Sequence, residues 1–303
     1  MKIIKTEFFA LFLLLIACNE SAISQNGNPG LYESEPFAEY WYQGKAEVNS
    51  YNLDQPRYGE THPGKAMLIF VTESFSKKKQ VKLDNPDNAG SDKVSVMKLN
   101  YTKNFVTGIY PYSMMLSTFT PISRNQYPNT VKVTMTSQEW CGHVFSQINL
   151  NNNKYNVESY SYFESEGDAE FSTEVTLLED ELFNLIRVDP QNIPEGKIKV
   201  LPGLFFTRLK HENLKPQDAT LTKDEGALQV NCTLQYIDRT LTIHVQKEFP
   251  HKILGWEEEF SERGKTFKTV ATLDKTLHTD YWRQNQKQYT PLRDSLGLSD
   301  SNY

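Results

Sequence analysis

The chain has 303 residues, 32 of them basic and 38 acidic, for a formal net charge of −6; 23% are charged and 12% aromatic. That composition excludes a disordered chain, a collagen and a polytopic membrane protein, and its acidic balance argues against a nucleic-acid partner. At this length roughly 75% of the unfolded surface can be buried, so a core needs no help from disulfides or metals, and each of the three cysteines needs its own explanation.

Met1-Lys2-Ile3-Ile4-Lys5 is a short basic start, and residues 8–16 are unbroken apolar sequence. About 9 apolar residues fall far short of the ~20 needed to span a bilayer but match the apolar region of a signal peptide. The run ends in Leu15-Ile16-Ala17-Cys18, which resembles the lipobox of bacterial lipoproteins. The resemblance implies a signal peptide over 1–17, cleavage before Cys18 and acylation of that residue with palmitate-type chains. Several acyl chains hold a protein stably, each buried CH₂ contributing about 0.8 kcal/mol. Asn19, rather than Asp, after the cysteine implies the outer membrane, and we expect the periplasmic face rather than the cell surface. Loss of Lys2, Lys5 and Glu7 shifts the net charge to about −7, which argues against the mature body lying flat on anionic lipid.

Residues 18–35 are rich in Asn, Ser and Gly and read as a flexible tether. From residue 36 onward no second linker or repeat interrupts the chain, so 36–303 is expected to be a single β-rich domain ending in a polar tail. Strands are expected over 46–51, 66–71, 94–101, 105–119, 131–136, 140–150, 155–163 and 198–209. The 66–71 run is apolar without alternation, so both its faces should be covered. Thr176 and Glu179 have capping-box spacing, Leu178, Leu182, Leu185 and Ile186 form one apolar stripe, and Asp189-Pro190 ends it, predicting a helix over about 176–187. Leu228, Val230, Cys232, Leu234 and Tyr236 alternate and pair with Leu241, Ile243 and Val245 as a hairpin. Leu254, Trp256, Glu258 and Phe260 precede a turn into 267–273. The fold class is mainly β: a curved antiparallel meander sheet or open barrel with one covering helix.

Trp140-Cys141-Gly142-His143 concentrates reactive groups. On a strand Cys141 and His143 share a face, the arrangement of a thiol nucleophile and its base; the alternative is strand packing. Cys141 and Cys232 are the two thiols left once Cys18 is acylated. In an oxidising compartment they either pair, closing a loop worth about 4–5 kcal/mol in the chain-entropy model, or stay as two free thiols. Tyr110, Tyr112, Trp140, Tyr160 and Tyr162 are candidates to line a concave sheet for an apolar ligand. Residues 84–92 concentrate oxygen donors but lack EF-hand spacing and read as a hairpin loop; the six histidines have no zinc-site spacing, so no metal is expected. No G-x-S-x-G, P-loop or G-x-G-x-x-G occurs, so no catalytic signature and no cofactor are expected.

The lipobox, Gln55-Pro56-Arg57-Tyr58-Gly59-Glu60, Leu68-Ile69-Phe70-Val71-Thr72-Glu73, Thr107-Gly108-Ile109-Tyr110-Pro111-Tyr112-Ser113 and Gln138-Glu139-Trp140-Cys141-Gly142 together resemble a family of Bacteroidota lipoproteins. Some members carry the label septum formation inhibitor Maf, which implies a nucleotide pyrophosphatase. Genuine Maf proteins have an S-x-S-P-R-R-like segment, and the nearest match here, Ser123-Arg124, lacks the Pro and the second Arg. Asp294-Ser295-Leu296 resembles an O-glycosylation sequon of the same group of bacteria. The resulting expectation is an outer-membrane-anchored lipoprotein whose body binds an apolar ligand or an envelope protein, in the manner of the LolA and LolB half-barrel lipid carriers. Such a carrier needs a hollow beneath the helix. The alternative is a hydrolase or nucleotide pyrophosphatase.

Overall fold

Inward apolar and outward polar residues alternate along most of the longer strands, and one sheet results. The computed structural model describes residues 34–262 and 264–298; the apolar run, Cys18 and nearly all of the expected tether lie outside the described residues. A short helix α1 (Glu35–Trp41) leads into β1 (Ala46–Arg57), β2 (Glu60–Ser76), β3 (Val81–Lys82), β4 (Lys93–Thr107), β5 (Tyr110–Pro121), β6 (Lys132–Glu139), β7 (Gly142–Asn151), β8 (Lys154–Ser161) and β9 (Ala169–Glu174). There follow β10 (Leu177–Leu178), α2 (Leu182–Val188), β11 (Gly196–Leu201), α3 (Leu204–Lys210), β12 (Gln217–Glu225), β13 (Gln229–Tyr236), β14 (Arg239–Gln246), β15 (Ile253–Glu262) and β16 (Lys265–Thr279).

The sheet order is β10-β11-β12-β13-β14-β15-β16-β1-β2-β4-β5-β6-β7-β8-β9, with β3 hanging on β2. Every pairing is antiparallel except β10 with β11. The edge strands β9 and β10 do not pair with each other, so the sheet stays open. Yet Glu174 and Leu177 are three residues apart and can be separated by at most about 11 Å. The sheet therefore rolls round until its two edges are neighbours.

α2 fills the inside of this roll. All seven of its residues are buried. Phe183 packs 5.5 Å from the Tyr101 ring and 5.6 Å from Trp256, and the Asn184 amide donates to the Met97 carbonyl at 3.0 Å. The hollow that a lipid carrier needs beneath this helix is thus occupied by side chains, and the LolA-like expectation is not met.

Three local expectations are corrected. The helix starts at 182 after a 3-10 turn, because Leu177 and Leu178 pair with Val200 and Leu201 and the Thr176 hydroxyl donates to the Lys199 carbonyl. Glu181, not Glu179, caps the turn, accepting from the Leu178 amide at 3.1 Å. The strand expected over 198–209 breaks at Pro202-Gly203 and continues as α3; Leu204, Phe205 and Phe206 form an apolar run that suits either element. Leu228 lies in the β12–β13 turn and is exposed, rather than on the inward face.

Ala66, Leu68 and Phe70 face inward from β2, while Met67 and Ile69 pack outward with Ala46, Val48, Val71 and Leu296. Leu296 belongs to a 3-10 segment, Lys287–Leu296, that lies along the outer face. The central strand is covered on both sides, as its sequence requires. Asp294 and Ser295 remain exposed on that segment.

Candidate functional site

The hairpins β1–β2, β4–β5, β6–β7, β13–β14 and β15–β16 all turn at one end of the roll, where α3 also lies. At this end a cleft of about 540 Å³ opens between the β1–β2 turn, α3 and β14–β16. Arg57 and Tyr58 come from the turn, Phe206, Lys210 and His211 from α3, and Arg239, Glu258, Phe260, Lys265 and Phe267 from the strands. Four cationic side chains (Arg57, Lys210, Arg239, Lys265) face two carboxylates (Glu258, Glu262), so the cleft carries a positive excess in an acidic protein.

Its floor is a buried ion network. Lys103 Nζ donates to Glu258 Oε1 at 2.6 Å, and Arg239 donates to Glu258 Oε2 at 3.1 Å and to both oxygens of Glu179. Tyr236 Oη donates to Glu179 Oε2 at 2.6 Å, and Trp256 Nε1 to Glu258 Oε1 at 3.2 Å. Burial alone would raise the Glu258 carboxyl, but Lys103 and Arg239 overcome it and bring its pKa to about 2. The adjacent Asp180 has no such cation to itself. Burial and then the Glu179 charge push it up to about 8, although its Oδ2 accepts the Leu204 amide at 3.0 Å. The Arg239 guanidinium also lies 4.2 Å from the Phe206 ring centroid, joining the network to the cleft wall. Buried charges are expensive to desolvate and persist where geometry and hydrogen bonds satisfy them. Clusters with carboxyls displaced in opposite directions are concentrated at functional sites.

The far end of the interior has a second, closed network. Arg187 grips Glu47 with two hydrogen bonds, 2.7 and 2.8 Å, and both side chains are fully buried. Asn49 donates to Glu47 at 2.7 Å, and Tyr40 of α1 also donates to it. α1 seals this end through buried Phe37 and Trp41.

Of the aromatic residues singled out in the sequence, Tyr110, Tyr112 and Trp140 come together beside the cleft. Tyr58 Oη lies 2.7 Å from Tyr112 Oη and accepts from Tyr110 Oη at 3.1 Å; Arg57 Nε donates to Tyr112 at 3.3 Å. Trp140, 68% exposed at the β6–β7 tip, stacks near Tyr110 with centroids 6.2 Å apart. Tyr160 does not join them: it stacks on Phe145 on the outer face. Tyr162 covers Gly142, where a Cβ would meet the ring at 2.7 Å. None of the five lines a hollow concave sheet.

Cys141 lies in the β6–β7 turn and His143 on β7, so the shared strand face expected for a nucleophile pair is not formed. The Cys141 amide donates to Glu139 Oε2 at 2.6 Å, and the same carboxylate holds the thiol pKa up, opposite to what a thiolate nucleophile needs. Glu139 is in turn 3.7 Å from buried Arg208. Cys141 is exposed, Cys232 is buried, and both are free thiols, so the disulfide is not formed. Seven strands of the sheet separate β13 from β6. Among the described residues no group of three His, Cys, Asp or Glu side chains could hold a metal ion, and residues 84–92 form two 3-10 turns.

The sequence reading missed Arg57, Lys103, Glu179, Arg239 and the role of Glu258. Two of these had a signal. Lys103 sits in the inward register of Leu99, Tyr101 and Phe105, and Glu258 in that of Trp256; a charge at an inward strand position marks a buried partner. Comparison with protein families, with curated proteins and with solved structures finds no match to this chain.

Proposed function

We propose that the chain is an outer-membrane-anchored lipoprotein, held through Cys18 on the periplasmic face, whose body binds a ligand in the hairpin-end cleft. The lipobox after a short apolar run supports the anchor. The cleft carries the binding role: its aromatic walls, Tyr58, Phe206, Phe260 and Phe267, flank a positive excess over a pre-organised ionic floor. That lining suits a molecule with an anionic group and an apolar or aromatic part, rather than a wholly apolar lipid. Because the floor ions are already paired, binding requires little rearrangement of them.

An intact-mass measurement on protein recovered from cell envelopes tests the anchor. The proposed form starts at Cys18 and carries acyl chains; an unacylated chain with another start contradicts it. For the cleft, the doubly substituted Arg57→Ala/Lys265→Ala protein should lose a bound anionic molecule that the wild type retains.

A further inference from the structure

Two ends of the roll compete to face the bilayer, and the place where the N-terminal chain leaves the body separates them. Ser34 precedes α1, and α1 lies away from the hairpin end. The Trp41 carbonyl accepts from Thr72 near the end of β2, and Tyr40 stacks on His278 near the end of β16. Thr72 lies twelve residues from Glu60, the hairpin-end start of β2, about 40 Å at about 3.3 Å per residue. The sixteen steps from Cys18 to Ser34 reach at most about 55 Å when fully extended. An anchor at Cys18 therefore brings the α1 end to the membrane freely, and the hairpin end only by drawing out most of the chain's length.

The α1 end presents the side chains that a headgroup layer accepts. Tyr42 caps α1 and is exposed; Tyr281 and Trp282 follow β16 with rings 5.4 Å apart, and Trp282 is 43% exposed. Val81 and the exposed Lys78 and Lys79 lie on the β2–β3 hairpin at the same end, and Lys82 there reaches Glu73 at 3.2 Å. Tyrosine and tryptophan, with an apolar ring and a polar tip, favour the membrane–water interface, and lysine adds attraction to anionic lipid. Exposed Glu35 and Glu39 of α1 share this end with the lysines, so the aromatic side chains rather than net charge carry the seating.

We infer that the α1 end, through Tyr42, Val81, Tyr281 and Trp282 with Lys78 and Lys79, seats directly on the lipid surface and turns the cleft away from the membrane. This rests on the proposed anchor at Cys18. The lipid headgroup layer is the occupant; a protein partner or the residues preceding Ser34 are the competing outcomes.

The four tryptophans allow a direct test, because Trp41 and Trp256 are buried while Trp140 and Trp282 stand at opposite ends. The full chain, recovered from envelopes, is reconstituted on phosphatidylcholine vesicles containing phosphatidylglycerol and lipids brominated near the headgroup. Brominated lipid should quench wild-type emission, Trp282→Phe should lose most of that quenching, and Trp140→Phe should keep it. Lys78→Glu/Lys79→Glu should weaken quenching on anionic vesicles more than on neutral ones. An acylated, vesicle-bound protein whose quenching is absent, or is lost with Trp140→Phe instead, overturns the seating while leaving the anchor intact. A protein with unmodified Cys18 that fails to bind vesicles overturns the anchor, and the seating with it.

Discussion

Lys103 and Glu258, 155 residues apart in the chain, meet in the interior with Nζ 2.6 Å from Oε1. Lys103 is 1% exposed, so this ion pair exchanges little with solvent, and its partner Arg239 ties it to Glu179 on the turn before α2. One network therefore links β4, β14, β15 and the α2 entry, and forms the floor of the cleft.

Removing one member should be costly. Lys103→Met leaves Glu258 with Arg239 alone, and the loss of a buried partner typically costs about 3–5 kcal/mol. Chemical denaturation should show this deficit. Lys103→Met/Glu258→Met should recover part of it, because the uncompensated charge is gone. A single variant as stable as wild type would show that the pair is not buried in solution.

Both interior ion networks shape the response to pH. Glu258 and Glu47 both titrate near about 2 when folded, below the ordinary carboxylate value of 4.5. A lowered folded pKa contributes stability above the unfolded pKa that is lost as pH falls through the folded value. Stability should therefore decline between about pH 5 and pH 2. Asp180 has the opposite sign. Its folded pKa of about 8 favours the protonated form, so its contribution is present below about pH 4 and is lost as pH rises towards 8. Melting temperatures measured against pH should show Asp180→Asn gaining on wild type between pH 5 and pH 8. Parallel profiles would contradict the half-buried setting of Asp180 beside Glu179.

Gly203 leaves no room for a side chain. A Cβ there would stand 2.6 Å from Glu179 Oε1 and 3.2 Å from Asp180 Oδ1. Gly203→Ala should displace Glu179 from Arg239 and destabilise the protein by about 1–3 kcal/mol, the usual range for overpacking. Denaturation of the purified variant reads the loss, and an unchanged midpoint would mean that α3 can shift freely.

The two body cysteines should differ sharply in reactivity. Cys141 is exposed, with a pKa held up by Glu139, and Cys232 is buried, with its pKa pushed up to about 11 by burial. Alkylation of the folded protein should modify Cys141, more slowly than an ordinary surface thiol at neutral pH, and Cys232 only after unfolding. Glu139→Gln should speed the Cys141 reaction. Resistance of both sites until a reductant is added would indicate a disulfide instead.

The mainly β class was legible because period-2 alternation is a local signal, and it holds along β5 (Tyr112, Met114, Leu116) and β14 (Leu241, Ile243, Val245). The open, curved sheet was legible too, but the meeting of its edges β9 and β10 was not, because their places are fixed by fourteen other strands and not by their own sequence. α3 was mistaken for a strand because Leu204, Phe205 and Phe206 are apolar in succession, which suits either period. The candidate site was legible only in fragments. Tyr110, Tyr112 and Trp140 stood out as aromatic residues, but the charges on the cleft floor come from strands far apart in sequence. Arg239 follows Asp238 at the β13–β14 turn, where a charge ordinarily meets solvent; only the fold brings it over Glu179 and Glu258.

The binding role of the cleft is tested most directly by native mass spectrometry of the full chain released gently from envelopes. The wild type should carry a small anionic molecule with an apolar or aromatic portion, and Arg57→Ala/Lys265→Ala should release it while the mass of the chain itself shifts only by the two substitutions. A wild-type protein that carries no ligand, or one retained equally by the double variant, would contradict binding in the cleft.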